Sequence, residues 1–180
     1  MNSLDNEIFR TLECGLIIKR ILNANGPEWL GYWTQAIAAH ILLRLGVKIS
    51  EVNNTGHPDI CGFIEGGILR MEIECDSTGR GLHALDPDDI EGLKPRSPLD
   101  QSYYGLLKAT DIPEWVIVPY NKIKNINKPS YISLLKAVAD SKRSSLWTSI
   151  FIRILLDNKE NIESLHYNDL QIRALSNRGL

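Results

Sequence analysis

His57-Pro58-Asp59, then Ile60-Cys61-Gly62-Phe63-Ile64, then Glu65-Gly66-Gly67, then Ile68-Leu69-Arg70-Met71-Glu72-Ile73-Glu74-Cys75-Asp76 is the stretch that decides the fold. The apolar content of residues 60–64 and 68–75 is that of two strands, and Gly66-Gly67 between them supplies a tight turn in which positive φ is free. Alternation in the second strand is clean. Leu69, Met71, Ile73 and Cys75 point one way, and Arg70, Glu72, Glu74 and Asp76 point the other. Three carboxylates on one face, opposite Asp59 at the mouth of the partner strand, repel one another unless something compensates them. A divalent cation is the natural compensation, because hard cations are held by carboxylate oxygens. The plainer expectation is an edge strand with a solvated acidic face, which alternates in the same way. Pro58-Asp59 and the hairpin tip the reading toward a site.

Pro58-Asp59, a hairpin and an acid-x-acid group ending a strand resemble the PD-(D/E)xK nuclease superfamily, the fold of many restriction endonucleases. Ser77-Thr78-Gly79-Arg80-Gly81 is similar to the polar loop that often follows the catalytic strand there. Trp33 to Leu45 resembles the helix before the first strand, and Trp115 to Pro119 the next core strand. The resemblance runs from about Trp29 to Tyr120. It implies an α/β fold, a restriction-endonuclease-like mixed central sheet flanked by helices. It further implies a metal-dependent DNA endonuclease, a hydrolase using Mg²⁺ or Mn²⁺. Asp59 and Glu74 would be the metal ligands, with Glu72 and Asp76 as further catalytic carboxylates. The family's lysine should lie two residues after the second acid. Both registers, Glu72-x-Glu74 and Glu74-x-Asp76, stay open, and neither has a lysine: the position falls on Glu74 or Asp76. Some restriction endonucleases with an acid there are active. An inactive nuclease fold serving as a nucleic-acid-binding or partner subunit is the alternative.

With 180 residues, 43% of them apolar, the chain fits a single domain, 1–180, with a core at about 29–120 and a helical part at about 130–180. The net charge of −2 gives no general case for a polyanionic partner, but its distribution does. Residues 1–90 carry 13 acids against 7 bases, and residues 91–180 carry 9 against 13. Acids for a metal beside bases for phosphates is what cleaving DNA requires. Arg80, Lys94, Arg96, Lys122, Lys124 and Lys128 are the expected nucleic-acid contacts, from the loop 79–100 and the basic segment 122–128. A solvated helix face and a charged loop would also account for the lysines. Pairing of two active sites in a homodimer is expected, since one site would nick one strand.

Cys14, Cys61 and Cys75 form no C-x-x-C pair and fit buried thiols of a reducing cytosol. No secretory signal order is present, and the apolar run Ala36 to Leu45 is interrupted by His40 and Arg44, so a soluble cytoplasmic protein is expected. No Walker A loop, Rossmann fingerprint or H-E-x-x-H occurs.

Apolar spacing predicts a helix over 3–24, a break at Asn25-Gly26-Pro27 and a second helix to Leu45. Val47 to Val52 reads as the first strand. Residues 79–100 read as a long irregular connection. A helix is predicted over about 99–109, a strand over 114–119, and helices over 130–139, 146–158 and 162–176. Glu28 suits a helix N-terminus, Gln35 a solvated or packed position, His57 a surface turn, and His40 a satisfied core position. His83 has no partners at ligand spacing. Gln101, Tyr103 and Tyr104 resemble a helix-borne Gln and Tyr element of some nucleases, at the wrong spacing. The four tryptophans read as core or interface.

Overall fold

A long helical segment, α1 (Ser3–Arg44), leads into the sheet. The computed structural model describes residues 3–52, 58–80, 82–126, 130–160 and 162. Gly26 interrupts α1 with φ 85° and ψ 171°, a conformation that no helix contains, and Pro27 follows. Two helices therefore meet at the predicted break. Leu30, Trp33, Ile37 and Ile41 on the second half are buried, so its apolar face is spent on the sheet.

Five strands form a mixed sheet in the order β1-β2-β3-β5-β6. They are β1 (Lys48–Val52), β2 (Ile60–Ile64), β3 (Gly67–Asp76), β5 (Gln101–Lys108) and β6 (Glu114–Pro119). A short β4 (Leu82–His83) pairs antiparallel with β7 (Ser130–Tyr131) outside this sheet. The remaining helices are α2 (Pro87–Gly92), α3 (Tyr120–Ile123), α4 (Ile132–Val138) and α5 (Ser141–Asp157). This is an α/β fold with helices against both sides of the sheet.

The hairpin forms where the sequence predicts it, with Ile60 opposite Met71 and Ile64 opposite Gly67. Its two glycines act differently. Gly66 adopts φ 80°, which turns the chain. Gly67 is needed for space, because a Cβ there would lie 2.3 Å from the Leu99 carbonyl oxygen.

One prediction and one alternative reading are corrected by the sheet. Residues 101–108 form a strand, β5, where a helix was expected. β5 is buried on both faces, and such strands lose the alternation that identifies a half-exposed one. It is also the strand beside β3, so Trp115 to Pro119, expected next in the core, lies one place further out as β6. Second, β3 is central and not an edge strand, and its partner β5 runs parallel to it. Parallel neighbours need a long crossover, which is why residues 77–100 are so extended. That crossover is not structureless, since it carries β4 and α2. Asp86 caps α2 by accepting the Asp88 N–H, with Pro87 at the first helical position.

The sheet separates two apolar clusters. One holds Leu69, Met71 and Ile73 of β3 with Leu107, Trp115 and Ile117, under α1 and Trp147 and Phe151 of α5. The other holds Tyr104 and Leu106 of β5 with Val116 and Val118, under Leu85, Leu93, Ile123, Ile132 and Leu135. Trp115 meets Trp147 edge-on at 5.2 Å between ring centroids, so these tryptophans are core as predicted. α5 also protects the outer edge of β6. Thr148 and Ser144 accept the backbone N–H groups of Trp115 and Ile117. All three cysteines are free, with Cys14 buried and Cys61 and Cys75 partly so. No helix among the described residues is long and apolar enough to cross a membrane. Of the predicted helix 162–176, all but Ile162 lies outside the described residues.

Candidate active site

On β3 the side chains opposite the Met71–Ile73 core belong to the second face of the sheet. Parallel register sets Arg70 beside Ser102, Glu72 beside Tyr104, Glu74 beside Leu106 and Asp76 beside Lys108. The acids are therefore covered. Glu72 and Asp76 are each 4% exposed, so the solvated-face expectation fails. Burying carboxylates is expensive unless each is hydrogen-bonded, protonated or matched by charge.

Arg70 is matched by Asp100 at 2.7 Å, with both side chains buried. Asp100 also accepts the N–H groups of Ile68, Arg96 and Ser97. This guanidinium and these donors hold the Asp100 carboxyl down at about 2. Arg70 is thus committed to anchoring the crossover and does not neutralise its acidic neighbours.

Those neighbours crowd. Continuing the hairpin register by one residue puts Asp59 opposite Glu72. One Asp59 oxygen accepts the Gln35 amide at 2.8 Å, and the other accepts the Ile73 N–H at 2.8 Å. Gln35, expected to be solvated or packed, instead ties α1 to the site. Glu72 is pushed up to about 9, first by burial and then by the charges of Asp59 and Asp89. Glu74 is pushed up to about 7 by burial, Asp59 and Asp89 in the same order. Tyr104, completely buried, is raised well above its ordinary value by burial and by Glu74, Asp89, Glu72 and Asp59. Four carboxylates, Asp59, Glu72, Glu74 and Asp89, therefore act on one another across β2, β3 and α2. Asp76 is turned away toward the following loop. Its Oδ1 accepts both the N–H and the hydroxyl of Thr78, at 3.0 and 2.7 Å, while its Oδ2 has no hydrogen-bond partner among the described residues.

Among the described residues, no three His, Cys, Asp or Glu side chains are arranged as a ready-made metal site. The Asp59 oxygens are engaged by Gln35 and Ile73 and Oδ1 of Asp76 by Thr78, so a cation would have to share or displace these contacts. In donor chemistry the group still fits. It offers the carboxylate oxygens of Asp59, Glu72 and Glu74, and burial with the charges of Asp59 and Asp89 makes Glu72 and Glu74 hold protons more tightly than usual.

The expected nucleic-acid contacts are exposed where described. Arg80 follows the Thr78 turn, Lys94 pairs with Glu91 at 3.2 Å, and Arg96 precedes the Asp100 anchor. Lys122 and Lys124 flank Ile123, which packs on the same side of the sheet as Leu93 beside Lys94. Lys128 and His57 lie outside the described residues. Glu28 is exposed and His40 half-buried.

Three residues escaped the sequence reading. Asp89 is 7% exposed and sits on α2, whose Asp86-Pro87 start is a legible helix signal. Tyr104 was hidden by the mistaken helix. His83 has a partner after all, its Nε2 lying 2.5 Å from the Tyr104 hydroxyl. No family model matches the chain, and no curated protein is recognisably similar to it.

Proposed function

We propose that this protein is a metal-dependent DNA endonuclease with a restriction-endonuclease-like fold, hydrolysing phosphodiester bonds and acting as a homodimer. The observation that carries this reading is the gathering of Asp59, Glu72 and Glu74 on the covered face of the central strand. A structural role does not explain it, since burying mutually repelling carboxylates opposes folding.

Asp59, Glu74 and Glu72 would hold the ion, Mg²⁺ or Mn²⁺. Facing Asp59 across the hairpin favours Glu72-x-Glu74 as the motif over Glu74-x-Asp76. When bound, a divalent cation polarises the phosphoryl oxygen, makes water a better nucleophile and offsets charge on the leaving oxygen. The chain's own residues do the rest. Gln35 and the Ile73 N–H orient Asp59. Arg80, Lys94, Arg96, Lys122 and Lys124 would hold phosphates along the duplex. Asp76, bonded to Thr78, would shape the loop that presents Arg80.

One observation favours a second reading. The lysine position in the preferred register is Glu74, and this suits a nuclease fold that binds nucleic acid without cutting it. Supercoiled plasmid incubated with Mg²⁺ or Mn²⁺ separates the two. Nicked or linear product that disappears with EDTA, and in Asp59→Ala and Glu74→Ala proteins, supports the nuclease. Retarded but uncut plasmid supports the binder, and cutting by both variants at the wild-type rate refutes the site.

A further inference from the structure

The first half of α1 is apolar on two opposite sides. One side is spent inward: Cys14, Ile17, Ile18 and Ile21 are buried, and the Cys14 thiol reaches the Ile152 carbonyl of α5. The other side carries Ile8, Leu12 and Leu16, spaced four residues apart and therefore stacked along one line of the helix. Phe9 stands beside them. Ile8 is 51% exposed, Leu12 42%, Leu16 67% and Phe9 60%. The loop after β5 widens this patch. The Asp111 carbonyl lies so close to α1 that a Cβ on Gly15 would come within 2.3 Å of it, and the next residue, Ile112, is 62% exposed. Single exposed apolar side chains are ordinary, but a contiguous group of them marks an interaction surface.

Together the five side chains expose on the order of 500 Å² of apolar surface, the size at which the largest patch of a monomer is often functional. A stable complex buries about 800 Å² on each partner, and an apolar centre of this size with an ordinary polar rim meets that requirement. The pattern also matches itself. Ile8 and Leu16 stand equally far on either side of Leu12. Two copies of the helix running antiparallel therefore set Leu12 against Leu12 and Ile8 against Leu16, the isologous contact of a two-fold dimer. Charge agrees with that direction. Glu7 and Glu13 precede Lys19 and Arg20 along the segment, so antiparallel copies bring the acidic end of one toward the basic end of the other. With Arg10, residues 6–20 carry three bases against two acids, too little positive field to favour a polyanion or an anionic membrane as the occupant.

We infer that the Ile8–Leu12–Leu16 face of α1 is the dimer interface of this protein, covered by the same face of a second copy in antiparallel orientation. The inference rests on the homodimer of the nuclease reading and not on its chemistry. The first half of α1 packs with α5 on the Met71 side of the sheet, so this pairing leaves both acidic faces open.

Sedimentation velocity over about 1–100 µM protein tests it, since mass action makes a dimer concentration-dependent. Wild type should sediment as a dimer at the upper end. Leu12→Glu sets two carboxylates together at the two-fold axis and should weaken the dimer at least about 100-fold, on the scale of a central anchor in each copy. Leu134→Glu, at an exposed leucine on α4, should leave it intact. Ile8→Lys and Leu16→Glu should each weaken the dimer, and the double variant should recover it, because antiparallel pairing sets the new charges opposite one another. A wild-type protein that stays monomeric throughout overturns the inference, whatever else covers the patch. A dimer indifferent to Leu12→Glu, or lost equally with Leu134→Glu, overturns the assignment of this face. Failure of the double variant to recover refutes the antiparallel arrangement. None of these readouts uses cleavage, so a protein that dimerises as described and cuts nothing would sink the nuclease reading and leave the interface standing.

Discussion

Replacing Glu72 with Gln keeps the shape of the side chain and removes its charge, and the consequence for stability can be worked out. In the fold, Glu72 holds its proton up to about 9 against an ordinary 4.5. Between those values the native chain binds a proton that the unfolded chain does not, so stability falls as pH rises. Near pH 7 the folded carboxyl is still protonated while the unfolded one is ionised. At about 1.4 kcal/mol per pH unit, the penalty accumulated by then is roughly 3 kcal/mol. Gln has no such penalty. In EDTA, Glu72→Gln should match wild type near pH 4 and exceed it near pH 7 by on the order of 3 kcal/mol, or about 6–12 °C in Tm for a chain of this size. Urea unfolding or thermal melts across that range measure it directly. The same variant should lose plasmid cutting, so a group that weakens the empty fold would serve the reaction. An equal or lower stability near pH 7, or an advantage that does not change with pH, would refute the picture of a buried, repelled carboxylate.

Further outcomes follow from the same geometry. On the nuclease reading Mg²⁺ would displace the Glu74 proton, so an Mg²⁺-induced rise in Tm should grow as pH climbs through about 7, and a thermal shift series at fixed Mg²⁺ checks this. Asp59→Ala should reduce cutting roughly 1000-fold, since several kcal/mol of charge stabilisation would leave with the ion. Gly67→Ala forces a Cβ to within 2.3 Å of the Leu99 backbone oxygen, which cannot swing aside. It should cost about 3 kcal/mol in urea unfolding, at the upper end of overpacking. Asp100, held at about 2, contributes stability that is complete above its ordinary 3.8 and is lost as pH falls toward 2. Arg70→Gln should therefore flatten the acid limb of the stability curve.

The hairpin was legible because its signals are local. Alternation over residues 68–76 and a Gly-Gly turn depend on nearest neighbours alone, and they gave the strands, the turn and the shared face of Glu72, Glu74 and Asp76. The break at Gly26 and the strand at 114–119 were legible for the same reason. β5 was not, because a strand covered on both faces carries a continuous apolar run that also suits a helix. Misreading it removed Tyr104 from view, and with it the partner that gives His83 a place.

From its order of residues alone, this chain determines which side chains share a face and where the backbone turns, because those follow from the pleat of a strand and the freedom of glycine. Only the tertiary structure decides that β3 is central, that Arg70 is spent on Asp100, and that half-buried Asp59 and Glu74 crowd against buried Glu72 and Asp89. Those outcomes depend on pairing between segments far apart in sequence. The charge state of a carboxylate depends on what lies around it in space, and its neighbours along the chain do not reveal that.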